Sequence, residues 1–176
     1  IWHGLALAIV LHAAFNFLVG AGAIGATILI LVLVPAMWVL GLASACMYVS
    51  RYAINSWGIL YLQEHRGYTL VEAGLMLGLN TGAGLAGCVV YGFVSDKFFN
   101  ARRPPVTLIF GLLEVLALVL IFYTPPGHPL VLSAAFILFG FTLSGLLAVL
   151  GGLFAVDIVG RKAAGAAMGF IGIVSY

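Results

Sequence analysis

From Met37 to Leu62 the chain is apolar and carries a single charge, Arg51. A run of that length and character fits a helix crossing a hydrocarbon layer about 30 Å thick, which sets Arg51 near mid-layer. A guanidinium keeps its charge at ordinary pH. On insertion scales a cation at the bilayer centre costs about 2.5–3.5 kcal/mol. A water-filled cavity or an anion must offset that cost, so Arg51 is read as a candidate binding residue for an anionic solute.

The rest of the chain supports a membrane setting. Charged residues make up 7 % and hydrophobic residues 64 %, whereas a soluble domain carries about 25 % charge. Such a chain cannot clothe a water-facing surface, and a nucleic-acid partner is not expected. Apolar stretches run over Leu5–Leu33, Met37–Leu62, Ala73–Val94, Val106–Tyr123 and Leu130–Ala155, and from Ala164 to the end. Lipid offers no partner for open backbone groups, so each is expected to be a helix. The expectation is an all-α membrane protein of about six spans. Ile1 is not an initiator methionine and Tyr176 lies in an apolar run, so the sequence is expected to be a fragment of a longer chain. Cys46 and Cys88 lie inside apolar runs and read as small packing residues.

Charge is confined to the connectors. Lys97, Arg102 and Arg103 fall in one, Arg161 and Lys162 in another on the same side, and Arg66 on the opposite side. The positive-inside rule puts the 96–105 and 157–163 loops in the cytoplasm.

Several motifs have structural readings. Thr69 and Glu72 have capping-box spacing, which favours a structural role for Glu72. The glycine triplets Gly20/Gly22/Gly25 and Gly82/Gly84/Gly87 match G-x-G-x-x-G but lie in apolar spans without a βαβ setting, so they are not nucleotide fingerprints. Gly74, Gly78 and Gly82 recur every four residues, a side-chain-free stripe suited to close approach by a neighbouring helix; Gly165 and Gly169 repeat the spacing. Asp157 and Arg161 have the spacing of an ion pair. Glu114 is a second charge inside a span, read either as a proton-coupling carboxylate or as a hydrogen-bonded neutral acid. His12 and Asn16, with Trp2 and His3 before them, resemble the last motif of intramembrane CAAX-type proteases. Two ligands do not make a catalytic metal site, and the Glu-Glu pair of those enzymes is absent. Neither cofactor nor metal is expected.

The connector that holds Gly92, Asp96, Lys97, Arg102 and Arg103, closed by Pro104, places an acid at a helix end, then basic residues, then a proline restarting the next helix. This order resembles the cytoplasmic loop signature of the major facilitator superfamily, in the copy joining the eighth and ninth helices. It reads as a conformational hinge, in which Asp96 can accept hydrogen bonds from a neighbouring helix N-terminus. The stretch from Tyr48 through Arg51, Tyr52 and Asn55 to Trp57 resembles the seventh helix of the organophosphate:phosphate antiporter family. The wording from Ser95 to Asn100 and the stretch from Arg161 to Phe170 resemble the same family, and the likeness covers Pro35 to Tyr176.

The resemblance implies a C-terminal-half fragment, helices seven to eleven over residues 35–176, preceded by an apolar helix of uncertain origin over residues 1–34. It implies a non-enzymatic exchange of an organic phosphate (a sugar phosphate, glycerol phosphate or phosphoglycerate) for inorganic phosphate by alternating access, in a bacterial inner membrane. Arg51 would bind the phosphate. A partner arginine and a histidine would come from a missing N-terminal half. Ser44, Tyr48 and Asn55 share the Arg51 face and join it as candidate substrate contacts, Asn55 where several relatives carry aspartate; a polar helix contact suits all three as well. Ser144 and Gly145 stand where the family often has Gly-Pro, which implies a straighter tenth helix. The family gives Glu114 no role. Two alternatives remain open: a sugar-phosphate sensor of the same fold, and a protease remnant in residues 1–34.

Overall fold

The computed structural model describes residues 35–159 and 164–175. Among them every regular element is helical: α1 Pro35–Glu64, α2 Leu70–Phe98, α3 Arg103–Tyr123, α4 Pro129–Ala148, a π-helical turn Val149–Leu153, α5 Phe154–Val159 and α6 Ala164–Ser175. Four stretches are long and apolar enough to span a bilayer: α1, α2, α3 and the run Pro129–Ile158. The expected spans at 37–62, 73–94, 106–123 and 130–155 all lie inside them. The expected first span, with His12 and Asn16, falls outside the described residues, as do Arg161 and Lys162.

Local chemistry sets the ends of these helices. Thr69 caps α2 by accepting from the Glu72 amide, while Glu72 Oε2 accepts from the Thr69 amide at 2.9 Å. Two amides that open the helix are thereby satisfied. Prolines enter the first turns of α3 and α4, where a missing N–H removes no helical hydrogen bond. Between α2 and α3 the chain turns through Asn100 (φ 50°) and Ala101 (φ 62°), held by Ala101 N–H donating to Ser95 O at 2.9 Å. Regular α geometry along the fourth span gives way at Val149–Leu153, beyond Ser144 and Gly145.

The described residues divide into two compact units. In the unit Met47–Val149, α2 and α4 run parallel with α3 antiparallel to both. The α2–α4 seam depends on glycine: a Cβ on Gly87 would overlap the Phe141 carbonyl, and one on Gly140 would overlap the Asn80 carbonyl. Backbone-to-backbone approach of this kind is how small residues join helices in lipid. By contrast Gly74, Gly78 and Gly82 have nothing within 4 Å of their Cβ positions. The expected stripe is therefore not where helices meet among the described residues. Phe110 of α3 stacks on Phe141 of α4 at 5.6 Å and meets Tyr91 of α2 edge-on at 5.0 Å.

The other unit comprises the described residues of Ile1–Cys46 and Leu150–Tyr176. There Trp38 meets Phe170 edge-on at 4.9 Å. Gly41 leaves room for Val174. Cys46 and Cys88, expected as packing residues, are both exposed and form no disulfide.

Candidate functional site

Arg51 lies near the middle of α1, a helix of 30 residues, or about 45 Å at 1.5 Å per residue. Met47, Ile54, Gly58 and Leu62 form the packed stripe of this part of α1. Arg51 stands at the border of that stripe and is half-buried, with Tyr48 half-buried and Asn55 exposed on the same flank. Its guanidinium lies over the Tyr48 ring, 5.6 Å from the centroid, and the Tyr52 ring is 6.1 Å from that of Tyr48. Among the described residues no hydrogen bond or ion pair reaches the Arg51 guanidinium. An aromatic face attracts a cation but leaves all five N–H donors available to an anion. The contact to the guanidinium comes from Tyr48, which the sequence also placed on this face.

Gly58 packs against Leu77 of α2. Arg51 lies two turns from Gly58, and Gly84 two turns from Leu77 in the opposite chain direction, so the two share a depth. Ser144 Oγ sits against Gly84, and Asn80, one turn along α2, is 4 % exposed with its Oδ1 buried and unbonded. These two polar groups at the level of Arg51 were not singled out from sequence as binding residues. An asparagine in an apolar stretch was the available signal. Ser44 belongs to the other unit, where it is fully buried and accepts a hydrogen bond from Ser175 at 2.9 Å.

The loop residues occupy a different setting. Asp96, Lys97 and Arg102 are exposed and Gly92 is half-buried. Lys97 Nζ lies 5.1 Å from the Phe93 ring centroid. Asp96, which can accept hydrogen bonds from a helix N-terminus, bonds to no described residue. Instead, Tyr91 closes this end: its hydroxyl donates to Arg103 O at 3.2 Å and is paired with Thr107 Oγ1 at 2.7 Å. Arg103 is half-buried at the start of α3. Glu114 is 6 % exposed in the middle of α3 and bonds to no described residue.

From the sequence, Arg66 bears only on orientation. Its guanidinium donates to the carbonyls of Ile121, Phe122 and Thr124 and to the Tyr61 hydroxyl. Those carbonyls are the negative end of α3. Tyr61 itself donates to Ile121 O at 3.2 Å.

Spanning helices with short charged connectors, one carrying the 92–104 signature, agree with the sequence comparison. Residues 6–176 match the Major Facilitator Superfamily. The chain belongs to that superfamily. Within it, the chain is 33 % identical over 140 residues to the glycerol-3-phosphate transporter of Bacillus subtilis, covering 80 % of this chain and 31 % of the relative. It is 36 % identical over 142 residues to the membrane sensor protein UhpC of Salmonella typhimurium, covering 81 % and 32 %. It is also 30 % identical over 154 residues to the hexose-6-phosphate:phosphate antiporter of Escherichia coli, covering 80 % and 29 %. The superfamily resemblance read from the loop, and its organophosphate branch, are supported by these names. The chain spans about a third of the length of the relatives it matches.

Proposed function

We propose that this protein exchanges an organic phosphate for inorganic phosphate by alternating access, with Arg51 as a phosphate-binding residue. One observation carries the reading: a permanent cation at mid-span, beside an open flank of α1, with only an aromatic ring against it among the described residues. A phosphate dianion fits the planar fork of a guanidinium through two parallel hydrogen bonds. Tyr48 holds the fork, and Asn55 takes a hydroxyl of the organic part. Ser44 supports α1 from its contact with Ser175.

The relatives' names, glycerol phosphate and hexose phosphate among them, favour a small phosphorylated metabolite as substrate. Gly92, Asp96, Lys97, Arg102 and Arg103 form the hinge on the cytoplasmic side of a bacterial plasma membrane. The exposed Asp96 and Lys97 are available there to partners that change during the cycle. No covalent chemistry is involved; the work is binding and movement.

The test is phosphate-loaded vesicles containing the full-length protein. Uptake of labelled sugar phosphate or glycerol phosphate should depend on internal phosphate and be lost in Arg51→Lys, while that variant inserts and expresses normally. A lysine retains charge but not the fork. Unchanged transport in Arg51→Lys would remove Arg51 from the site. Identity to the sensor protein UhpC favours a second reading, a phosphate-ester receptor. Binding of the labelled ester without exchange would select it.

A further inference from the structure

Glu114 takes no part in the exchange just described. It lies on the stripe Val106, Phe110, Glu114, Ala117 and Ile121 that α3 buries, and α3 packs principally on α4. One turn below it, Phe110 fills the space beside Gly145, stacks on Phe141 and meets Tyr91. The carboxyl therefore stands above an aromatic, apolar layer.

Among the described residues, no opposite charge faces it. Between Pro129 and Ala148, α4 has no titratable side chain. On α2 the interior titratable groups are Cys88, which is exposed, and Tyr91, whose hydroxyl is engaged by Thr107 and Arg103 O. Glu72, Asp96 and Lys97 stand at the ends of that helix. From the α1 side, Tyr61 and Arg66 bond α3 at Ile121–Thr124, two turns from Glu114 or about 10 Å. Arg103 lies three turns away in the other direction. An ionised carboxylate in such a seam would be desolvated and uncompensated, a combination proteins avoid by neutralising the group. A neutral acid is compatible with the packing as it stands.

We propose that Glu114 is a proton-binding site in the membrane interior, linking movement of α3 against α4 to proton uptake and release. While the seam is closed the carboxyl keeps its proton. When the seam opens to water the O–H bond breaks, the proton passes to water and a hydrated carboxylate remains; closing reverses each step. Water is the only co-reactant. The site stands whether or not the protein exchanges phosphate.

The decisive measurement is infrared spectroscopy of the full-length protein in lipid, wild type against Glu114→Gln. A protonated-carboxyl C=O band, shifted in heavy water, should be present in the wild type at about pH 7 and missing from the variant. Absence of the band, or its persistence in Glu114→Gln, overturns the proposal; Glu114→Leu gives the same comparison should the glutamine variant fail to fold.

Linkage is read from self-exchange of labelled inorganic phosphate between about pH 6 and pH 9. The wild-type rate divided by the Glu114→Gln rate should fall at least about fivefold toward alkaline pH, because a lost proton disfavours reclosing by up to about tenfold per pH unit. Taking the ratio cancels the titration of phosphate itself. A flat ratio overturns the linkage. Should neither protein exchange phosphate, the transport reading fails while the infrared comparison still decides the proton site.

Discussion

Arg66 and Arg51 are two arginines on the same segment with opposite solutions to the same problem. Arg66 places its donors on three carbonyls at the end of α3 and on Tyr61; Arg51 has a ring beneath it and open donors. The first is therefore a structural clasp, and the second keeps the open donors that the proposed phosphate site needs. Hydrogen bonds to a charged group contribute about 1.5–3 kcal/mol, so Arg66→Gln should lower stability by about that amount, read as a fall in the thermal unfolding midpoint in detergent. Binding of phosphate at the Arg51 site should change little. The positive φ of Ala101 gives a second expectation at this scale. A left-handed backbone costs an L-residue about 1–2 kcal/mol and glycine nothing. Ala101→Gly should raise the same midpoint, offset in part by added freedom of the unfolded chain.

At the scale of elements, the α2–α4 seam concentrates the packing of its unit. Methyl groups at Gly87 or Gly140 would strike backbone, which cannot move aside as a flexible side chain does. Gly140→Ala and Gly87→Ala should each sharply reduce the monodisperse fraction on size-exclusion chromatography, in line with overpacking costs of about 1–3 kcal/mol or more. Gly78→Ala is the control: its Cβ meets nothing, and helix propensity favours alanine by about 1 kcal/mol. An equal loss in all three variants would refute the distinction between packed and open glycines. The contrast also marks the limit of sequence legibility. Spans, the Thr69–Glu72 cap and the proline start of α3 were readable because their causes are local. The seam was not, since these helices are apolar on most sides and lack the polar face that reveals which side turns inward. Gly74, Gly78 and Gly82 carry the clearer repeat, yet Gly87, Gly140 and Gly145 make the contacts. Arg51 was legible through its isolation; the clasp of Arg66 was not, because its acceptors lie more than fifty residues further along the chain.

For the whole molecule, the proposed exchange has a direction only if the proposed hinge faces a defined compartment. The charge asymmetry behind the expectation that residues 96–105 face the cytoplasm is sharper than a count suggests, because Arg66, the cation expected on the opposite side, is engaged by helix-end carbonyls. Lys97 and Arg102 are exposed at their end of α2 and α3, where they act at full strength in topology selection. Asn100 and Gly127 flank α3 on opposite sides and are both exposed. With Cys46 and Cys88 replaced by serine, Asn100→Cys in intact cells should resist a membrane-impermeant maleimide until the cells are opened, and Gly127→Cys should react at once. The reverse pattern would turn the hinge outward. It would also place the clasp of Arg66 on the cytoplasmic side, so that the 92–104 connector could no longer serve as the inner hinge of the proposed exchange.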